Sequence, residues 1–350
     1  MKRNELITRL SDAFGPSGFE EDVVRIIRSA LEDTSYDLSS DQMKNLYAVK
    51  SSDGLSIMLD AHTDEVSFMV KSIHPSGMLS FLNLGSISAN NVGAQKVLIR
   101  SKDGTLHPGI IASVPPHFQP DKDKAPKTED LMIDLGVSSE EEVRKLGIEV
   151  GDPGIFHVSS FVDSSRDLAF GKAFDCRIGC AAVIEVLRIL DEEGVAAQGS
   201  FSVQEEVGTR GAFVSARTLK PDVAIVFEGA PADDTFGKPH EMQCKLHHGP
   251  MLRHLDVRMI THPGFQRLAL EVAEREGIDV QRAVRSGGGT NGAAIHLSNE
   301  GIPTIVISIP VRYIHTAHSW TSMKDFDAAV RLAVALVKEL DENLLSSWLV

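Results

Sequence analysis

Apolar residues recur at two spacings along the chain, and the switches between them outline its elements. Near the N-terminus Leu6, Ile7, Leu10 and Ala13 fall at helical spacing over residues 3–13. Gly15-Pro16-Ser17-Gly18 stops that helix, and Ser17 or Gly18 is placed to cap a second one. The second opens with Glu20, Glu21 and Asp22, acids that suit the positive end of a helix dipole, and its apolar face is Val23, Ile26, Ile27 and Leu31. Short strand patterns follow at 36–38 and 46–49, joined by a turn at 41–45, and another at 56–59. From 66 to about 157 the texture changes. Strand-like runs at 66–73, 78–82, 96–99, 109–113 and 154–158 are separated by Gly and Pro, which predicts a small all-β unit. Inside it the polar, proline-rich stretch 115–130 predicts a flexible loop, and Ser138 or Ser139 caps a short helix over 140–146. After Phe161 strands and helices alternate again. Helices are predicted at 178–190, 211–218 and 264–276, and strands at 200–204, 223–227, 279–284 and 303–310. A tight turn at 287–291 leads into an apolar run at 293–297, and a helix from Met323 or Phe326 to 345 closes the chain. The pattern predicts an α/β core built from 1–65 plus 162–350, split by an inserted β unit at 66–161.

Composition narrows the function without naming it. The apolar fraction of 42% and charged fraction of 24% are those of an ordinary soluble protein. A net charge of −14 argues against a nucleic-acid partner, because phosphate binding needs a basic face. The three cysteines, Cys176, Cys180 and Cys244, are too few and scattered for a disulfide framework or a cysteine zinc site, which fits a reducing compartment. The N-terminus has no apolar leader pattern, and no apolar run approaches membrane-spanning length. These features predict a cytoplasmic protein with no membrane partner.

Candidate chemistry collects at strand exits. The run 201–211 reads as a strand that ends in Glu205-Glu206 and a turn at Gly208. Two adjacent acids are costly to place without a compensating cation, and a metal ion is the commonest one. Three other strand patterns lead to His62 with Asp64, to Glu228, and to Arg312-Tyr313-Ile314-His315. Asp175 stands at a loop-to-helix junction ahead of the apolar helix. In open α/β sheets, ligands bind beyond the carboxyl ends of the strands. Amide hydrolysis needs an activated water and a stabilised oxyanion, and two metal ions about 3.5–4 Å apart supply both. Asp175 is the best bridging carboxylate. His62 and Glu228 complete one ion, and Glu206 and His315 the other. Mixed histidine and carboxylate ligation suits zinc, cobalt or manganese. Asp64 is placed to fix the tautomer of His62, and Glu205 is left as general base. One geometric condition applies: neighbours on a regular strand face opposite ways, so Glu205 and Glu206 share a site only if the strand has ended before them.

Taken together, Gly15-Pro-Ser-Gly18, Ala61-His-Thr-Asp-Glu65, Ala173-Phe-Asp-Cys-Arg-Ile-Gly179, Gln204-Glu-Glu-Val-Gly208, Gly287-Gly-Gly-Thr290 and Arg312-Tyr-Ile-His315 resemble the TET-type dinuclear metallo-aminopeptidases, a family that includes glutamyl and deblocking aminopeptidases and members once labelled endoglucanases. The resemblance runs in order over nearly the whole chain. It implies a phosphorylase/hydrolase-like three-layer α/β core, an inserted small β-barrel-like domain that makes oligomer contacts, and a large homo-oligomer, a dodecamer, acting on short peptides. It also implies His62, Asp175 and Glu228 on one metal, Asp175, Glu206 and His315 on the other, and Glu205 as base.

This chain departs from the family pattern at four positions. Glu228 stands for the usual Asp, Cys176 for an Asp after the bridging acid, Asn291 for an Asp after Gly-Gly-Gly-Thr, and Lys44 for a Gly. Cys176 and Asn291 bear on substrate preference; Cys176 is expected near the site without being a ligand, and Cys180 in the helix core. His318 competes with His315 for ligation, and the Arg312-Tyr-Ile-His pattern favours His315. The remaining histidines read as surface or structural groups, and Asp233-Asp234 as solvated. A glycosidase would need two carboxyl groups at a set separation and no histidine ligands, so His62 and His315 speak against it. A non-catalytic binding protein would have no need to keep five costly groups together.

Overall fold

The computed structural model describes residues 1–51, 54–118 and 127–349. Its core is an eleven-stranded mixed sheet. The hydrogen-bonded order runs Asp37–Ser40, Leu46–Val49, Gln198–Ser202, Ile57–His62, Val223–Pro231, Thr304–Arg312, Ser319–Ser322, Leu168–Gly171 and Phe161–Asp163. Met251–Leu255 and Gln281–Val284 branch from Thr304–Arg312. The four middle strands are mutually parallel, so their carboxyl ends emerge along one edge.

Strict alternation on those strands sorts their side chains between two helical layers. Ile57, Leu59, Val223, Ile225, Ile305 and Ile307 pack with the helices Arg3–Asp12, Glu21–Leu31, Phe174–Glu192, Pro263–Arg275 and Met323–Glu339. Met58, Ala224, Val226 and Val306 pack on the opposite face with Arg210–Leu219 and Gly292–Ile295. The expected three-layer α/β core is therefore present.

The expected insertion is a closed six-stranded barrel in the order Ser67–Ile73, Leu79–Leu84, Met132–Asp134, Leu106–Ile111, Lys96–Arg100 and Pro153–Phe156. It has a separate apolar centre, where Phe68 meets the ring edges of Phe81 and Phe156 at 5.0 and 4.9 Å. Closure removes the free sheet edges that six short strands would otherwise expose. Of the stretch read as a flexible loop, 119–126 lies outside the described residues, and Pro116–Phe118 and Thr128–Asp130 are short 3₁₀ turns.

Local readings differ from the structure in three places. Ser17 and Gly18 do not cap the second helix: Glu20 holds the N-cap position without a side-chain cap. The closing helix breaks at Leu340, where Asp341 caps a separate helix, Glu342–Ser347, by accepting from the Leu344 N–H. Five short strands had no alternating signal: Met132–Asp134, Phe161–Asp163, Leu168–Gly171, Met251–Leu255 and Ser319–Ser322.

Candidate metal centre

Five segments bring the candidate residues together. His62 is the last residue of the strand Ile57–His62. The next strand ends at Ser202, and Gln204 turns the chain with φ 57° in the left-handed region. Glu205 and Glu206 thus sit in a turn rather than on a strand, which meets the geometric condition. Glu228 lies within Val223–Pro231, a strand that runs on past the point where the pattern ends it. His315 follows the carboxyl end of Thr304–Arg312 in a turn where Tyr313 (φ 62°) and His315 (φ 58°) are both left-handed. Such backbone is costly for side chains with a Cβ and clusters where a site dictates the geometry. Asp175 stands in the first turn of Phe174–Glu192, where its φ/ψ of −87°/104° is not helical and its peptide bond to Cys176 is cis.

Asp175 is the pivot. Its Oδ1 lies 3.2 Å from His62 Nε2, and its Oδ2 lies 3.0 Å from His315 Nε2. Glu228 Oε1 is also 3.2 Å from His62 Nε2, and Glu206 Oε1 is 3.6 Å from His315 Nε2. Two groups of ligand-type atoms result, each within 4.8 Å: His62, Asp175, Cys176 and Glu228, and Asp175, Glu206 and His315. Glu205 Oε2 lies at 4.0 Å from His62 Nε2, at the edge of this constellation.

The electrostatics show what the cluster lacks. Burial pushes Glu205 up to about 7, and pushes Glu206 and Glu228 well above the carboxylate range; the charge of Asp175 adds to the effect on all three. Burial also works against charge on the imidazoles, yet hydrogen bonds to the surrounding carboxylates hold His62 well above its ordinary value and His315 at about 9. Glu206 Oε1 and Glu228 Oε2 are buried with no hydrogen-bond partner. Buried polar atoms are nearly always satisfied, so these two oxygens are suited to a cation.

Around the cluster a supporting layer fixes its shape. Asp64, fully buried, presents Oδ1 3.3 Å from His62 Nδ1, while the backbone N–H groups of Glu205 and Glu206 donate to Oδ1 and Oδ2 at 2.9 and 3.1 Å. One carboxylate therefore orients an imidazole and pins the two-acid turn. Ser17 donates to the same carboxylate at 2.6 Å. Glu20 accepts from the N–H groups of Gly18 and Gln204, and burial raises it to about 7. Arg312 forks onto Asp234 at 2.9 and 2.7 Å, anchoring the turn that carries His315. Asp233 accepts from the N–H groups of Gln243 and Cys244 and pairs with Arg285 at 3.1 Å. The solvated reading of Asp233-Asp234 is thus wrong: both are tied to an arginine that lies far off in sequence.

The two departures tied to substrate preference fall in different places. Cys176 joins the first group by distance, but its thiol donates to the Phe227 carbonyl at 3.3 Å, and burial and the charge of Glu228 push it well above its ordinary value. Its hydrogen is thus already engaged by a backbone carbonyl. Cys180 packs inside the helix as expected. Asn291 is buried under the sheet edge, where its amide donates to Asp60 at 2.8 Å and to Ser202 at 2.7 Å. It braces the strands of His62 and Ser202, and its Oδ1 is buried without a hydrogen-bond partner. His318 stacks on Phe170 at 5.7 Å and takes no place in either group. Sequence reasoning missed the supporting roles of Ser17 and Glu20. The glycine-flanked Gly15–Gly18 stretch was a signal for Ser17, whereas Glu20 read only as a helix-dipole acid.

Comparison with known proteins gives the family and the fold. A family model described as M42 glutamyl aminopeptidase matches residues 44–332. The FrvX protein of Escherichia coli K12 is 33% identical over 94% of this chain and 93% of its own length. A TET aminopeptidase from a marine-sediment Thaumarchaeota archaeon superposes with a TM-score of 0.95 at 38% identity, covering 99% of this chain and 100% of the other. Two further structures, each at TM-score 0.87 and 27% identity over 97% of this chain and 100% of theirs, are a TET1 dodecamer and a Pyrococcus horikoshii TET1 peptidase that can assemble into a tetrahedron or a large octahedral shell.

Proposed function

The chain belongs to the M42 glutamyl aminopeptidase family and is a metal-dependent aminopeptidase, and we propose that its two metal ions share Asp175, with His62 and Glu228 on one and Glu206 and His315 on the other. The observation that carries this reading is the pair of Asp175 oxygens, each facing a different imidazole. When bound, such an ion pair makes water nucleophilic at neutral pH and polarises the scissile carbonyl. The chain's own residues do the rest. Glu205 takes a proton from the attacking water and returns it to the leaving amine. Asp64 holds the His62 ring and the Glu205-Glu206 turn in place.

Zinc or cobalt fits the mixed nitrogen and oxygen donors, and manganese is the third candidate. We further assign 1–65 plus 162–350 to the catalytic domain and 66–161 to an inserted domain for assembly and substrate access. The substrates are short peptides and the assembly is a homo-oligomer, a dodecamer as in the TET1 relative. No described helix is long and apolar enough to cross a membrane, and we place the protein in the cytoplasm.

Metal analysis with and without chelator tests the reading. Hydrolysis of aminoacyl-anilides should vanish with chelator and return with Zn²⁺ or Co²⁺. His62→Ala and His315→Ala should each lose one ion, and Asp175→Ala both. Equal single-ion losses for all three would remove the bridge from Asp175, and activity that survives chelation would remove the metal mechanism.

A further inference from the structure

A cavity of about 540 Å³ opens beside the metal cluster, and its walls are continuous with the ligand-bearing segments. Tyr313, Ile314 and Ala317 come from the turn that carries His315, and Pro231 and Ala232 follow directly on the strand that carries Glu228. Its remaining side is built from the barrel, past Gly85, the point at which the barrel backbone reaches Glu206: a Cβ on Gly85 would stand 3.0 Å from Glu206 Oε2. The cavity therefore lies between the two ligand strands and the barrel.

Its lining is mostly apolar, with Asn91, Gln95, Thr316 and His318 as its polar members. Phe236 is 77% exposed and Tyr313 51%, large rings left open toward the space rather than packed into the core. Among the described residues that line it there is no Asp, Glu, Lys or Arg. The nearest charges in sequence are already spent, since Asp234 is held by Arg312 and Asp233 by Arg285 and backbone N–H groups. A charged side chain entering here would lose its hydration and find no counter-charge, whereas an apolar one would gain ring contacts.

We propose that this cavity receives the side chain of the substrate's N-terminal residue and selects a large, uncharged, apolar one of the leucine, methionine or phenylalanine class. The inference rests on the aminopeptidase reading. With the peptide's amine held by the carboxylate cluster and its first carbonyl at the reacting centre, the first side chain is the one within reach of the walls that flank His315 and Glu228. The expected preference differs from the glutamyl substrate in the family's name.

The test is kcat/KM of the full-length, metal-loaded enzyme on leucyl-, methionyl-, phenylalanyl-, alanyl-, glutamyl- and lysyl-anilides. A methylene in an apolar pocket is worth about 10–200-fold, so leucyl should exceed alanyl by at least about tenfold, and glutamyl and lysyl by more. Phe236→Asp should lower the leucyl rate, raise the lysyl rate and so compress the leucyl-to-lysyl ratio by at least about tenfold. Phe236 is exposed, so the change should leave folding and metal content intact, and both are measured. A preference for glutamyl or lysyl, a flat profile, or an apolar preference that Phe236→Asp fails to move overturns the proposal while leaving the aminopeptidase reading in place. No hydrolysis of any anilide by metal-replete protein would instead overturn that reading itself.

Discussion

At the scale of single residues, the proposed mechanism gives the neighbours Glu205 and Glu206 two different tasks, which sequence adjacency alone would not separate. Glu206 faces His315 and the shared Asp175 and carries an unpartnered buried oxygen, whereas Glu205 stands at the edge of the cluster. Glu205→Gln keeps size and shape but removes the proton acceptor. A positioned general base contributes about 10²–10⁴-fold, so turnover should fall by that order with metal content near normal. Glu206→Gln removes an anionic ligand: one metal should weaken, and excess Zn²⁺ or Co²⁺ should partly restore the rate. Rescue of the first variant and not the second would show the roles exchanged. The residues that gather here stood out in the sequence because each follows a hydrophobic run in a strand pattern or, for Asp175, opens an apolar helix. What was not legible is how they are held. Asp64 was read as a partner of His62 only; its grip on the Glu205 and Glu206 N–H groups depends on a left-handed Gln204, which no composition signal marks.

At the scale of elements, long periodic segments were legible and short ones were not. The helices at 178–190 and 264–276 and the middle strands of the sheet sit where their spacing puts them, because burial on both faces leaves a continuous apolar run. Short strands such as Ser319–Ser322, inside the sheet between Thr304–Arg312 and Leu168–Gly171, and Phe161–Asp163 at its edge are paired on few residues, so pairing rather than an apolar run defines them. Lys44 is an instructive departure: its φ of 74° is the conformation for which the family's glycine is suited, and the chain tolerates a lysine there at some conformational cost. The join between elements rests on a buried ion cluster that the sequence did not reveal. Glu65, at the root of the barrel insertion, receives Lys172 at 2.6 and 2.7 Å and Arg177 at 3.1 Å. Arg177 also donates to the carbonyls of Leu10, Gly15 and Thr63, so one side chain ties the first helix, the Gly15 turn and the His62 strand to the helix that bears Asp175. All three ionic side chains are essentially excluded from water. Burial already lowers Lys172 to about 8 despite Glu65. Glu65→Gln would leave two buried cations without their anion. Breaking a buried pair by removing one partner costs about 3–5 kcal/mol, so urea denaturation should show a loss of that order. A loss below about 1 kcal/mol would mean that the cluster does not brace the site.

At the scale of the whole molecule, the barrel is the part whose purpose a single subunit does not explain. Its interior is packed with Phe68, Phe81 and Phe156, so it is a body rather than a pore. Its exterior leaves Leu82, Leu106 and Ile110 exposed at 56%, 42% and 50%. Single exposed apolar residues need no explanation, but three on two strands of one small barrel fit a surface meant to be covered. With a net charge of −14, separate subunits repel one another at long range, so association must come from short-range apolar contact of this kind. If the barrel drives assembly into a closed shell, the shell limits access to short or unfolded peptides. Ile110→Glu places a charge on the outer surface, where it has room and leaves the barrel core untouched. The variant should bind metal and hydrolyse aminoacyl-anilides as before, while light scattering shows smaller particles than the parent protein forms. Freed of the shell, it should also trim the N-termini of longer chains faster than the parent does. A parent protein that is monomeric at micromolar concentration with metal present would remove the basis for assembly. A variant that falls apart without any gain on long substrates would leave the assembly standing but deny it a role in choosing what enters.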